Sequence, residues 1–208
     1  MRIEIEARPI FLPLFEPSPR FRVLVAHRRA GKTVACVQWL VVTALRSARP
    51  ATRCAYVAPF YRQAKDAAWE YLKRMLALVP GVVPNEAELR VDLPHGARIR
   101  LYGADNADAL RGIYLDAVVL DEFGDMDPGT WSSVLLPALA DREGKATFIG
   151  TPKGRNGFWR LYDAAASTPD WWRALHRASE TGILGPAELA AQRRLMTAAQ
   201  YAGVRVQL

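Results

Sequence analysis

The stretch FRVLVAHRRAGKTVACVQWL, residues 21–40, decides the fold that the rest of the chain has to fit. It opens with an apolar run of strand length, turns through a glycine-lysine pair, and continues with helical length and composition. The usual phosphate-loop pattern, G-x-x-x-x-G-K-(S/T), begins with glycine, whereas Ala26 stands there in this chain. The question is whether this turn binds phosphate or is a surface turn that happens to contain Gly-Lys-Thr.

The chemistry of phosphate binding favours the first interpretation. Such a loop needs converging backbone N–H groups, the positive N-terminus of a helix, and a lysine that reaches the terminal phosphates. A glycine lets the backbone turn tightly, the lysine neutralises phosphate charge, and the threonine hydroxyl ligates Mg²⁺. Ala26 keeps the first position of the loop small. The residues expected to bind the nucleotide from this chemistry are Ala30, Gly31, Lys32 and Thr33.

Composition limits the class of protein. The 208 residues, half of them hydrophobic, suffice for one substantial core, and a formal net charge of +7 favours polyanionic partners. Cys36 and Cys54 lie in apolar runs and are expected to be reduced core residues, and the three histidines are isolated, so we expect no structural metal. No run reaches the ~20 apolar residues of a membrane span. We expect a soluble, cytoplasmic chain.

Apolar strands and helices alternate along the sequence. RCAYVAP (53–59) predicts a second strand, and residues 60–80 predict an amphipathic helix. LRVDL and ARIRLYG, separated by the turn PHG, predict a hairpin, and residues 116–122 and 146–152 predict two further buried strands. This alternation predicts an α/β fold with a mainly parallel sheet covered by helices on both faces.

A second motif supports the phosphate loop. The apolar strand VVLDE ends in Asp121 and Glu122, and ligands of parallel sheets bind at the carboxyl ends of strands. Asp121 is expected to hold Mg²⁺ through water, and Glu122 to orient or activate the water that attacks the γ-phosphate. The alternative for Glu122 is an ordinary carboxylate at a helix start. The two motifs together predict a P-loop NTPase of the type with an additional strand and a catalytic glutamate.

A third strand, within ATFIGTPKG (146–154), ends in Thr151. Its hydroxyl could sense the γ-phosphate and pass that signal to Lys153 and the loop beyond. The alternative is a threonine that merely ends a strand before a proline turn.

At these residues the sequence resembles the ATPase domain of the large terminase subunit of tailed bacteriophages, the motor that drives DNA into a procapsid. Terminases often carry an arginine in the phosphate loop, and HRRAGKT (27–33) is similar, with Arg28 or Arg29 in that role. LRGIYLDAVVLDEFGDM (110–126) resembles the family's arginine-glycine pair before the acidic strand. FIGTPKGRNGFW (148–159) resembles its coupling motif. The resemblance implies an ATPase domain over residues 1–200.

The resemblance also implies roles for further residues. Arg111 matches the position of an arginine finger that acts on a neighbouring subunit, although it could instead pair with Asp108 or Asp116 on the surface. Phe11 or Phe15 could stack on adenine, although core packing is the simpler role for either. Candidate contacts to DNA phosphates, which solvated helix faces resemble, are Lys65, Lys73, Arg74, Lys153 and Arg155.

The implied cofactors are ATP and Mg²⁺. The implied partners are double-stranded DNA, copies of the same chain in a ring, the portal protein and the small terminase subunit, with no membrane, in the cytoplasm of a bacterial host. A helicase-like ATPase shares both phosphate motifs and would be marked by strand separation. A catalytically inactive remnant that binds nucleotide or DNA is the other alternative.

The end of the chain departs from the family. A complete large terminase continues into a nuclease domain, so nuclease activity is not expected from this chain. The tail, 201–208, includes AGVRVQL, where the family often has a sequence similar to Gln-Glu-Tyr-Glu. With suitable codons, reading one nucleotide later gives Gln-Glu-Tyr-Glu-Cys-Ser. A frameshift is therefore one hypothesis, and a deliberately shortened chain is the other.

Overall fold

A computed structural model describes residues 6–151 and 153–195, and the tail 201–208 lies outside them. Eight strands form a single sheet in the order β3-β4-β5-β2-β6-β7-β1-β8. The strands are β1 (Phe21–Ala26), β2 (Arg53–Ala58), β3 (Pro84–Asn85), β4 (Arg90–Asp92), β5 (Arg98–Gly103), β6 (Ala117–Leu120), β7 (Lys145–Gly150) and β8 (Trp171–His176).

The sheet is mainly parallel, as predicted. All pairings from β5 through β8 are parallel, and β3 and β4 extend one edge in antiparallel fashion. The predicted hairpin is the antiparallel pair of β4 and β5. β7 lies between β1 and β6, so an additional strand separates the phosphate-loop strand from the strand that ends in acidic residues.

Helices cover both faces of the sheet. The α-helices are α1 (Lys32–Arg46), α2 (Tyr61–Ala64), α3 (Glu70–Leu76), α4 (Leu136–Ala140), α5 (Gly157–Ala164), α6 (Ala178–Thr181) and α7 (Pro186–Leu195). Short 3₁₀ segments are Pro9–Phe15, Ala104–Leu110 and Phe123–Asp125, and π-helical segments are Lys65–Trp69 and Thr130–Leu135. No helix in the described ranges is long and apolar enough to cross a bilayer.

Each face of the sheet contributes alternate side chains to its own core. Leu24 and Tyr56 belong to the core beneath α1 and α3, whereas Val25 and Val57 belong to the core beneath α4 and α5. The central strands are therefore buried on both faces, which explains their continuous apolar runs. Cys36 and Cys54 are buried and free, as predicted.

The structure differs from the sequence prediction in one helix and one strand. The predicted helix 60–80 ends at Leu76 and contains the π segment Lys65–Trp69. The edge strand β8 was not predicted.

Candidate functional site

The three predicted motifs meet at one edge of the sheet. β1, β7 and β6 are neighbours and parallel, so their carboxyl ends lie side by side. β1 leads into the loop 27–31, β7 is followed by Thr151, and β6 is followed by Asp121 and Glu122. This is the edge at which parallel sheets bind ligands.

The loop has the backbone of a tight turn. Gly31 has a φ of 96° and Arg29 a φ of 65°, both in the left-handed region. Ala26 and Ala30 are fully buried. Arg8 donates to the carbonyl oxygen of Ala30 at 2.6 Å and to that of Arg29 at 3.3 Å. Arg8, which directly precedes the 3₁₀ segment Pro9–Phe15, thus braces the loop, a contact that no sequence motif indicates.

Lys32 points back into the loop. Its ammonium donates to the carbonyl oxygens of Ala26 at 2.7 Å and His27 at 3.1 Å. The side chain is buried, and burial lowers the pKa of Lys32, whereas the charges of Glu122 and Asp121 oppose that shift. Its two partners here are neutral carbonyl groups, and a buried cation favours an anion as a further partner.

His27 ties the loop to the C-terminal part of the fold. Its backbone N–H donates to the carbonyl oxygen of His176 at 3.1 Å, extending the pairing of β1 with β8. Its Nδ1 lies 2.7 Å from the carbonyl oxygen of Arg28, and its Nε2 lies 2.9 Å from Oγ1 of Thr181. Nδ1 therefore carries the proton, and Thr181 donates to Nε2. Burial lowers the pKa of His27.

Asp121 is a buried carboxylate with two hydrogen-bonded oxygens. Oδ1 accepts from the backbone N–H of Glu122 at 2.9 Å, and Oδ2 accepts from the hydroxyl of Tyr56. Burial raises the pKa of Asp121, and the hydrogen bond from Tyr56 opposes that shift. Burial raises the pKa of Tyr56, and an interaction with the Thr33 side chain opposes that shift. The two predicted metal ligands, Thr33 and Asp121, therefore meet at one tyrosine.

Glu122 is held by the residues that follow β7. Its backbone has a φ of 47°, a left-handed conformation that is uncommon outside glycine and frequent at functional sites. Its carboxylate accepts from the Thr151 hydroxyl at 3.1 Å and lies 3.7 Å from Nζ of Lys153. Lys153 also pairs with Asp125. The predicted general base and the predicted sensor are in direct contact.

The predicted arginines are on the surface. Arg28 and Arg29 are exposed. Arg111 is 72% exposed and lies 3.3 Å from Asp108, which is one of the two surface partners considered above. The other, Asp116, contacts Arg49 and Arg142 instead.

The candidate DNA contacts are only partly available. Lys73 pairs with Glu70 and Glu86, and Arg155 stacks over Trp159.

A basic feature that the sequence did not reveal lies at the opposite, amino edge of β2 and β5. There a cavity of about 220 Å³ is lined by residues that include Arg53, Arg98, Arg100, Tyr102 and Tyr114.

The remaining predicted residues have core roles. Phe11 is buried and packs edge-to-face against the ring of His176, with ring centroids 5.9 Å apart, so core packing is its role. Phe15 is half-buried against the same core.

Within the part of the chain that the structure describes, no group of three or more His, Cys, Asp or Glu could hold a metal.

Comparison with known proteins confirms the resemblance predicted from the sequence. The terminase large subunit of Thermus virus P23-45 is 29% identical over an alignment of 170 residues, and the match covers 73% of this chain and 35% of that protein. The chain spans about a third of the length of the curated relatives it matches. No protein-family model matches it.

Solved structures confirm the P-loop NTPase fold. A point mutant of the large terminase ATPase domain of Thermus phage P74-26 has a TM-score of 0.75 at 25% identity. The match covers 94% of this chain and 91% of that one. The large terminase of bacteriophage D6E in complex with ADP, 17% identical over 92% of this chain and 50% of its own, has a TM-score of 0.72 and shows likeness of fold alone.

Proposed function

We propose that this chain, which resembles terminase large subunits across their ATPase domain, hydrolyses ATP and uses the energy to move double-stranded viral DNA into a procapsid. The observation that carries the proposal is the sheet edge where loop 27–31, Asp121, Glu122 and Thr151 lie at the ends of three adjacent strands. ADP, which the D6E terminase binds, is the product of that reaction.

The chain's residues have complementary roles in hydrolysis. The loop N–H groups and Lys32 bind the phosphates, and Arg28 adds positive charge from the loop surface. Glu122 orients a water against the γ-phosphate and accepts its proton as the water oxygen bonds to phosphorus and the bond to the ADP oxygen breaks. Thr151, hydrogen-bonded to Glu122, couples that carboxylate to the segment beyond β7.

The residues at this edge fit Mg²⁺. Thr33 and Asp121 offer a hydroxyl and a carboxylate oxygen, and both interact with the Tyr56 hydroxyl, so they lie close to a common point. Mg²⁺ usually binds through one or two carboxylates together with substrate phosphates and waters, so a dedicated cluster of ligands is not needed. When bound, the ion neutralises charge on the phosphates.

Arg111 is proposed to complete the site of a neighbouring copy of the chain. Its side chain is exposed, and its pair with Asp108 lies on the surface, where such pairs contribute about 0–1 kcal/mol. An approaching phosphoryl group can therefore displace Asp108 at little cost. Arginine fingers supplied in this way contribute ~10³–10⁵ in rate.

Double-stranded DNA is the proposed polyanionic partner, with the portal protein and the small terminase subunit as further partners in the host cytoplasm. The net charge of +7 supports binding to phosphate backbones. At the amino edge of β5, Arg98 pairs with Asp92 and Arg100 lies 3.7 Å from Glu88, so the arginine-lined cavity holds more cations than these two carboxylates neutralise.

The first test is steady-state ATP turnover over a series of protein concentrations, with and without duplex DNA. Glu122→Gln is expected to lower turnover by about 10²–10⁴-fold, because general-base catalysis contributes that much, while nucleotide binding persists. Glu70→Gln removes an exposed carboxylate on α3 and is the matched control, with turnover unchanged.

Two results would contradict the proposal. Turnover that survives Glu122→Gln would remove the glutamate from the mechanism. Negligible wild-type turnover at every concentration, alongside intact nucleotide binding, would identify a catalytically inactive, nucleotide-binding chain.

A further inference from the structure

Tyr56 is a fully buried tyrosine whose hydroxyl lies at the carboxyl edge of the sheet, where the proposed nucleotide site is. It belongs to β2, where it pairs in register with Val119 of β6, two residues before Asp121. Its hydroxyl donates to Oδ2 of Asp121 and interacts with the Thr33 side chain. One side chain therefore contacts both residues that offer oxygen ligands to a cation.

The number of protons fixes the direction of these hydrogen bonds. An ionised carboxylate only accepts, so Tyr56 must give its single proton to Asp121. The Tyr56 oxygen is then an acceptor for the proton of the Thr33 hydroxyl. In this chain of donors, the lone pairs of the Thr33 oxygen and the remaining lone pairs of Asp121 stay available for a cation.

The burial of Asp121 makes its hydrogen bonds to the protein important. Asp121 is buried, so both oxygens of its carboxylate depend on protein donors. The Tyr56 hydroxyl donates to Oδ2, and the Glu122 backbone N–H donates to Oδ1. Without the tyrosine hydroxyl, one buried carboxylate oxygen would lose its protein partner.

We propose that Tyr56 is a positioning residue for Mg²⁺, which fixes the Asp121 carboxylate and the Thr33 hydroxyl in the orientation that a bound cation requires. This inference rests on the proposed nucleotide site and deepens it. Residues that hydrogen-bond to metal ligands contribute about 10–100-fold to metal affinity.

The test is a titration of the full chain with Mn²⁺ in the presence of a non-hydrolysable ATP analogue, with free Mn²⁺ measured by electron paramagnetic resonance. Tyr56→Phe removes one hydroxyl and keeps the ring. We expect the Mn²⁺ affinity to fall about tenfold, while the affinity for the analogue without metal stays unchanged. Tyr71→Phe, a partly buried tyrosine on α3 away from the site, is the matched control.

Unchanged Mn²⁺ affinity in a Tyr56→Phe variant that unfolds cooperatively would overturn the inference. Should that variant fail to fold, 3-fluorotyrosine at position 56 keeps the shape and the hydroxyl but makes the hydroxyl a stronger donor to Asp121 and its oxygen a weaker acceptor for Thr33. The Mn²⁺ affinity must then change, and unchanged affinity overturns the inference. A wild-type chain that binds no Mn²⁺ with the analogue would overturn the proposed nucleotide site as well, and this result differs from a defect confined to the variant.

Discussion

His27, the first residue of the loop 27–31, gives that loop a pH-dependent anchor. Burial, together with the charges of Lys32 and Arg8, lowers its pKa below the ordinary 6.5. Above pH 6.5 the histidine is neutral in both the folded and the unfolded chain, so its contribution to stability is fully present. As the pH falls below 6.5, the unfolded chain takes up a proton that the folded chain resists, and the contribution is lost.

We therefore expect His27→Gln to lower the free energy of unfolding by about 1 kcal/mol at pH 7.5, the contribution of a typical hydrogen bond. The deficit should shrink at pH 5.5. Urea denaturation at the two pH values measures it, and His95→Gln is the matched control for a histidine outside the loop. A deficit of the same size at both pH values would contradict this account.

At the scale of single residues, sequence spacing identified groups whose chemistry is tied to a motif. Lys32 and Thr33 follow from the loop pattern, and Asp121 follows from the end of a buried strand. Tyr56 could not be found in this way, because its contact with Asp121, 65 residues further along the chain, depends on the register between two strands. The proposed roles of all these residues stay predictions until they are tested.

Among the elements, the end of β5 depends on a glycine. A Cβ at Gly103 would collide with the backbone nitrogen of Tyr61, at the start of α2, and would lie 2.8 Å from its Cα. The strand end and the helix start could not both keep their positions. We expect Gly103→Ala to lower the free energy of unfolding by about 1–3 kcal/mol, the usual range for overpacking.

Gly157→Ala is the matched control for this substitution. Gly157 opens α5, and a Cβ there would meet nothing nearer than Nη2 of Arg160 at 4.0 Å. Because alanine has the higher helix propensity, this variant should be neutral or slightly more stable. Urea denaturation measures the free energy of unfolding of both variants. Equal values would show that the close approach of Gly103 to Tyr61 does not limit stability.

The elements that the sequence predicted well are those buried on both faces. β1, β2, β6 and β7 are continuous apolar runs with boundaries close to those predicted. β8 (Trp171–His176) was missed because it is an edge strand whose side chains are mostly half-buried, so no apolar run or alternation marks it. The predicted helix 60–80 ends at Leu76 because Pro80 has no N–H to donate to the Leu76 carbonyl, and Gly81 also disfavours helix.

For the whole molecule, the sequence predicted a mainly parallel sheet and its additional strand but not the pairing of every strand. Alternation of strands and helices implies parallel pairing, whereas the order of strands depends on which crossovers pack together. The observed order brings the loop after β1 and the acidic residues after β6 to opposite sides of β7. Arg111 lies on the crossover between β5 and β6. Within the described part of the chain, its exposed side chain pairs with Asp108 and makes no hydrogen bond or ion pair with loop 27–31 or with Asp121, Glu122 and Thr151.

The proposal that Arg111 serves catalysis on another copy of the chain can be tested decisively by complementation. Arg111→Ala and Glu122→Gln should each be inactive alone. Mixed in equal amounts, they should regain turnover, because an Arg111→Ala subunit keeps its glutamate and receives the arginine of a Glu122→Gln neighbour. With random assembly in a ring, about a quarter of the interfaces combine both intact groups.

The control mixes Arg111→Ala with a chain that carries both substitutions, a mixture in which no arginine is available and turnover should stay at the background. If the first mixture assembles yet gains nothing over this control, Arg111 does not act between subunits. Each variant lacks one side chain, and the two side chains lie at separate places on the fold. Restored turnover in the mixture therefore has no explanation within one subunit. It would require that the hydrolytic site is shared across an interface and that hydrolysis depends on assembly.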